Sequence, residues 1–386
     1  MRILGLRNGD KAMNRSDGSL WLALIVTAVA APATSSDGPH NPAIEHAREA
    51  LGQLQDEGFA GSILVACGDQ ILLHEHYGIE LPADQTPSYW VASITKQFTA
   101  AAVLNLITET DLTLQTPLKE IFEQVPEDKA DITIHDLLSH QSGLPQAFAS
   151  SGLTRRDAAL AAILSLPLAR PPGTGFGYSN DAYTLLAILV ERVSGVRYET
   201  YLGRSVIDRA GLRNATFWPR QAREGEVIPP LATPFASDAY QDNWDFRGAT
   251  GMRLSVEDLH QWIQALDRLQ ILNQQQLAQL LGPHVTTRGG LRVGYNWFWE
   301  TAADGRPLLW TRGQEQYGAN AVLYLFPGTD LILVAATHAG PAETGSGPVT
   351  GWSRRAREQM IDAFDRNACA GREPLFANIR APASAN

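Results

Sequence analysis

Cysteine is almost absent: Cys67 and Cys369 are the only two in 386 residues. Neither stands in a spacing that suggests a thiol nucleophile or a zinc site, and two cysteines carry no connectivity pattern, so one disulfide and two separate thiols both stay open. Positive charge is also scarce. The 31 Lys and Arg are outnumbered by 41 Asp and Glu, for a net charge of −10, and no basic block occurs. That balance argues against a nucleic acid or an anionic membrane surface as the main partner. No period of 20–50 residues repeats, so the chain is not a solenoid. No Walker or dinucleotide fingerprint appears, so no cofactor is implied. What is present is a globular composition, 44% hydrophobic and 19% charged, with 33 Gly and 22 Pro. It excludes wholesale disorder and leaves room for much loop. The length allows two or three domains, or one large domain carrying an insertion.

The apolar run Leu20–Ala31 has twelve residues, well short of the ~20 that a spanning helix needs. It follows Arg2, Arg7, Lys11 and Arg15 and ends in the small-residue stretches Ala28-Val29-Ala30 and Ala31-Pro32-Ala33. A positive n-region, a short h-region and an A-x-A site predict a secretory signal peptide over 1–33, with Met13 as an alternative start. A periplasmic or secreted location follows as an expectation, with no stable membrane span in the mature chain. No cysteine near the cleavage site offers a lipid anchor.

Downstream, Ile44, Ala47, Leu51 and Leu54 have helical spacing. Gly61–Cys67, a Gly68-Asp69 turn and Gln70–Tyr77 predict a β-hairpin. A long apolar helix is expected from about Ser93 to Ile107. Helices are expected over Ala182–Ser194 and Val256–Leu269, the second opened by Ser255 with Asp258 in a capping-box-like pair. Strands are expected at Tyr295–Thr301, Pro307–Thr311, Asn320–Phe326 and Leu331–Thr337, then a last helix from about Gly351 to Arg366. Strands at both ends with helices between predict an α+β fold: one antiparallel sheet built from both chain ends, flanked by terminal helices, with a mostly helical lobe inserted. The corresponding boundaries are 34–130 for the first part of the sheet domain, with the helix that starts near Ser93, 131–284 for the helical lobe, 285–368 for the second part and 369–386 for a tail. With the first hairpin and the last helix on one sheet, a Cys67–Cys369 bridge is an expectation.

Two local motifs carry chemistry. In Tyr89-Trp90-Val91-Ala92-Ser93-Ile94-Thr95-Lys96, Ser93 and Lys96 stand at i and i+3, on one face of a helix start. A serine hydroxyl needs a neighbouring base, and a buried lysine with a depressed pKa can serve. Alone this spacing is common. In Gly173-Thr174-Gly175-Phe176-Gly177-Tyr178-Ser179-Asn180, Tyr178 suits an acid/base role and Asn180 the binding of a carbonyl, or else a loop anchor and a helix cap.

In this order and spacing the two motifs resemble the serine β-lactamase and penicillin-binding-protein superfamily. The resemblance is to the branch of class C β-lactamases, D-alanyl-D-alanine carboxypeptidases and related esterases. Ile132–Pro145 and Gly248–Leu259 resemble it too, so that it spans about Glu45 to Phe364. It implies an exported serine hydrolase with Ser93 as nucleophile and Lys96 and Tyr178 moving protons. Asn180 would orient the carbonyl of a small-molecule, short-peptide or ester substrate.

The third family element, a Lys or His followed by a small residue and Gly on a strand, is altered in Leu309-Trp310-Thr311-Arg312-Gly313-Gln314-Glu315. Matching Gly313 to the motif glycine puts Thr311 at the cation position. A second register, preferred because it keeps a positive charge there, puts Arg312 at that position, followed by Gly313 and Gln314. Arg312 would pair with a substrate carboxylate, and the backbone of Gln314 or Glu315 would help to hold the oxyanion. The departure leaves a rival of another class, a catalytically silent penicillin-binding or sensor domain. His74 and His76 share a strand face without an evident third metal ligand, so no metal is expected. His135 and His140 read as structural.

Overall fold

The computed structural model describes residues 42–338, apart from 57, 83, 218–223, 232–242, 303 and 316–317, and also 358–359, 361, 363–364, 369 and 375–376. The leader expected over 1–33, most of the helix expected over 351–366 and most of the tail lie outside these residues. The described residues belong to one compact unit.

The fold is α+β. Eight antiparallel strands form one sheet in the order Gln70–Tyr77, Gly61–Cys67, Leu331–Thr337, Asn320–Leu325, Pro307–Gln314, Phe298–Thr301, Arg292–Val293 and Val285–Thr286. Strands from the two ends of the described chain pair as its second and third members, Gly61 with Thr337 and Cys67 with Leu331. Period-two alternation divides the core between the faces. Ile63, Val65, Leu333 and Tyr324 pack with Ala47, Leu51 and Leu54 of the amphipathic helix Pro42–Asp56. Leu64, Ala66, Leu323 and Val334 pack on the other face with the helices Thr95–Glu109 and Asn180–Ser194. Helix Thr95–Glu109 is buried on all sides from Thr95 to Leu106, as its Ala-rich and all-round apolar sequence requires. Helix Asn180–Ser194 runs from a Ser179 cap to Gly195 in the left-handed region, φ 72°.

The expected hairpin has the observed limits. Other expectations shift. The Tyr295–Thr301 strand begins only at Phe298, because Asn296 takes φ 61° and turns the chain back so that Gly294 N–H donates to Trp297 O. The Pro307–Thr311 strand continues to Gln314, since Asn320–Leu325 gives it a partner that far. Ser93 sits in a 3₁₀ turn, Ala92–Ile94, with the α-helix starting at Thr95. Ser255 does cap its helix, but Asp258 turns its carboxylate to the N–H groups of Arg213 and Asn214. The cysteines are bridged, Cys67 to Cys369, with Cα atoms 5.4 Å apart. Among the described residues no helix is long and apolar enough to cross a membrane.

Candidate active site

The turn that carries Ser93 is held from two sides. Tyr89–Trp90 pairs with Met252–Leu254, Val91 N–H donates to Met252 O, and Thr95 Oγ1 accepts from Met252 N–H at 3.0 Å. Ala92, just before the serine, has φ 45°, a strained conformation for a residue with a Cβ. On the other side, Asn296 Nδ2 donates to Ser93 O at 3.0 Å and lies 3.3 Å from Thr311 Oγ1.

Lys96 Nζ lies 3.1 Å from Ser93 Oγ, 2.8 Å from Asn180 Oδ1 and 2.9 Å from Ala249 O. The lysine is fully buried, which pushes its pKa down to about 7 despite an opposing pull from Glu315. Tyr178 donates its O–H to Ser93 Oγ at 2.8 Å. Burial holds this phenol above its ordinary range, while the bond to Ser93 and the charge on Arg312 pull the other way. Of Lys96 and Tyr178, Lys96 is therefore the one poised to change its proton near neutrality. His140 stacks on Tyr178 at 4.5 Å, accepts from Ser179 N–H and stays neutral, pushed down to about 3 chiefly by burial.

Asn180 is the first helical residue, not the cap, and its Oδ1 is engaged by Lys96. Gly313 packs so closely that a Cβ would run into Val91 O and press on Ser93 N. No residue with a Cβ fits there, whereas the motif's middle position takes Thr, so the geometry points to Gly313 as the motif glycine rather than to the preferred register. Thr311, buried beside Asn296, takes the cation position, and Arg312 falls one place later. Arg312 nevertheless lines the cleft with Gln314, close enough to Tyr178 to favour its ionisation. Glu315 N–H is committed to Ala319 O at 2.9 Å, and the alternation of the ladder turns Gln314 N–H to the opposite edge, toward Ser93. The whole opens into a cleft of about 570 Å³, lined also by Phe148, Phe176, Phe298 and Trp310.

Residue spacing alone missed Asn296, Ala249 and the side chain of Glu315, of which only the backbone was a candidate. Gly248-Ala249-Thr250-Gly251 carried a family likeness without a role. The structure shows the loop presenting Ala249 O to Lys96 and Thr250 O to Trp90 Nε1. The other histidines have protein partners. His76 Nδ1 lies 2.7 Å from Ser62 Oγ, His74 Nε2 3.3 Å from Glu257, and His135 Nδ1 2.9 Å from Tyr295 OH.

An antiparallel sheet closed from both chain ends, with Ser93, Lys96 and Tyr178 gathered where a helical lobe meets it, defines the serine β-lactamase and penicillin-binding-protein superfamily. Within it the chain belongs to the beta-lactamase family, whose model matches residues 48–348. Over 223 residues it is 30% identical to protein flp of Staphylococcus aureus strain N315, covering 52% of this chain and 44% of that one. The chain spans 44% to 62% of the length of the first curated relatives it matches. Similar solved structures include a penicillin-binding protein from Bacillus halodurans, TM-score 0.66 at 22% identity over 82% of this chain and 99% of the other. The D-amino acid amidase of Ochrobactrum anthropi matches with a TM-score of 0.67 at 17% identity, over 83% and 98%.

Proposed function

We propose that this chain is an exported serine hydrolase that opens an amide, β-lactam or ester carbonyl through an acyl-enzyme on Ser93. The observation that carries the reading is the Lys96 Nζ–Ser93 Oγ distance of 3.1 Å on a buried amine whose pKa lies at about 7. As an ammonium, Lys96 has three donors for three acceptors. As an amine it keeps N–H bonds to Asn180 Oδ1 and Ala249 O and turns its lone pair on the Ser93 hydroxyl. Ser93 Oγ then attacks the carbonyl carbon while its proton passes to Lys96. The oxyanion is held by the backbone N–H groups of Ser93 and Gln314. The Tyr178 phenol gives its proton to the departing nitrogen or oxygen and recovers one from Lys96. Water releases the acyl group in a second cycle. Arg312, which cannot act as a base, supplies charge and a fork for a substrate carboxylate.

Export is supported by the leader-like N-terminus and by the Cys67–Cys369 bridge, which an oxidising compartment would keep. Intact-mass spectrometry tests the reading after exposure of the wild type and Ser93→Ala to a fluorophosphonate, a penicillin and a p-nitrophenyl ester. A stoichiometric adduct absent from Ser93→Ala is expected. An unlabelled wild type would instead point to the silent binding or sensor domain.

A further inference from the structure

Two opposite charges stand in the cleft without neutralising each other. Arg312 and Glu315 both line it, yet neither side chain makes a hydrogen bond or ion pair among the described residues. Arg312 has the carboxylate role given above; Glu315 has none. Its surroundings make an unpaired carboxylate costly. Burial pushes it up to about 7, and Asp245 pushes further in the same direction, against the pull of Lys96. Asp245 is itself raised by burial and leaves Oδ1 buried with no hydrogen-bond partner. Asp181, raised to about 6, senses Asp245 in turn. Glu315 thus faces the cleft with Asp245 acting on it as a further shielded carboxyl group and no cation paired to it among the described residues. Among the described residues Lys96 is the cation that acts on Glu315, and it is already shared among Ser93, Asn180 and Ala249.

We propose that Glu315 is a substrate-binding residue that receives an ammonium group on the acyl part of the substrate, so that the enzyme takes acyl groups with a free α-amine. A protonated amine would supply the positive partner and the donors that the carboxylate lacks. The aromatic walls, Phe148, Phe176, Phe298 and Trp310, suit an apolar side chain on the same acyl group. This substrate class rests on the reading of Ser93 as the acylated residue, since it assumes that the acyl part lies beside that serine.

The test separates the two ideas by reading binding without turnover. In the full-length Ser93→Ala protein, D- and L-phenylalaninamide and their N-acetyl derivatives are titrated by calorimetry, then again in Ser93→Ala/Glu315→Gln. At least one enantiomer of the free amine should bind about 10²-fold more tightly than its acetylated form, with that ratio falling toward one when Glu315 is neutralised. Equal binding of free and acetylated amides in Ser93→Ala overturns the inference without any need for the second variant. So does a preference that survives Glu315→Gln in a folded protein. Fluorophosphonate labelling of the native chain reports separately on Ser93. Its failure would sink the acyl-enzyme reading while the binding ratio still decides whether Glu315 holds an ammonium.

Discussion

Among the described residues Lys96 makes no ion pair, and burial rather than a neighbouring cation lowers its pKa. The groups around it are the rings of Tyr178 and Tyr183 at 4.9 and 5.7 Å, neutral His140, and Glu315 and Arg312 across the cleft. Of these only Glu315 also titrates near neutrality. The active form needs the neutral amine, so acylation by a neutral p-nitrophenyl ester should rise with pH, about tenfold per unit below 7, and level off above it. Because the Glu315 carboxylate raises Lys96, Glu315→Gln should move this limb to lower pH. A flat profile between pH 5 and 8 would remove Lys96 as the base. Ser93→Ala should abolish acylation and keep the fold; activity within about tenfold of wild type, ~1.4 kcal/mol in the barrier, would place the nucleophile elsewhere. At Arg312 the charge argument survives the change of register. Arg312→Ala should lower kcat/KM about 10²-fold, or ~2.7 kcal/mol, on carboxylate-bearing substrates, with Arg312→Lys losing less and Thr311→Ala least. A neutral Arg312→Ala beside a crippled Thr311→Ala would reverse the assignment. Ser93, Lys96 and Tyr178 were legible because their two motifs, in that order, resemble one superfamily; the spacing of either alone is common. Glu315 was not: a glutamate at the end of a strand reads as solvent-exposed until the surrounding lobe is seen to shield it.

At the scale of elements, what could be read was whatever local pattern dictates. The hairpin came out with its observed limits because a Gly68-Asp69 turn sits between two apolar segments. The register of the altered third motif could not be read, since it depends on how closely the Pro307–Gln314 strand approaches Val91, residues more than 200 positions away in sequence. The same kind of close approach shapes the Gly248–Gly251 loop. Gly248 takes φ 80°, and a Cβ there would meet Tyr183 O, so the loop wedges against the Asn180–Ser194 helix and aims Ala249 O at Lys96. Gly313→Ala should force the strand away from the nucleophile turn. The expected cost is ~1–3 kcal/mol of stability, as for other overpacked sites. Acylation should fall by more than about tenfold beyond any loss of folded protein, because the Gln314 N–H moves with the strand. Denaturant unfolding and ester turnover on one preparation check the two effects. Wild-type turnover in Gly313→Ala would mean that the close approach does not set the oxyanion site.

For the whole molecule, the pairing of Gly61–Cys67 with Leu331–Thr337 is the organising fact, because it closes the chain from Gly61 to Thr337 into one loop. The alternation of strands with a helical middle made that closure predictable, although cysteine spacing could not decide whether Cys67 and Cys369 were joined. Their bridge spans a sequence separation of 302 and ties the end of a central strand to a residue packed on the same face of the sheet. It lies with the cluster of the Pro42–Asp56 helix, on the face away from the Thr95–Glu109 helix that follows the nucleophile. Stability and activity should therefore separate. A cross-link over so long a loop restricts the unfolded chain strongly, and its removal should cost about 4 kcal/mol in the chain-entropy account. The Cys67→Ser/Cys369→Ser protein should unfold at lower urea with a slightly larger m-value, because its unfolded state is more expanded. In the absence of urea its ester turnover should stay within about twofold of wild type, under about 0.5 kcal/mol in the barrier, since the bridge lies on the sheet face away from the helix that follows the nucleophile. Alkylation of both thiols in the native, unreduced protein would show that no bridge exists in solution. A parallel loss of turnover and stability in the double variant would instead mean that the two faces of the sheet are mechanically coupled, with the strand carrying Gly313 and Gln314 depending on the closure as much as the fold does.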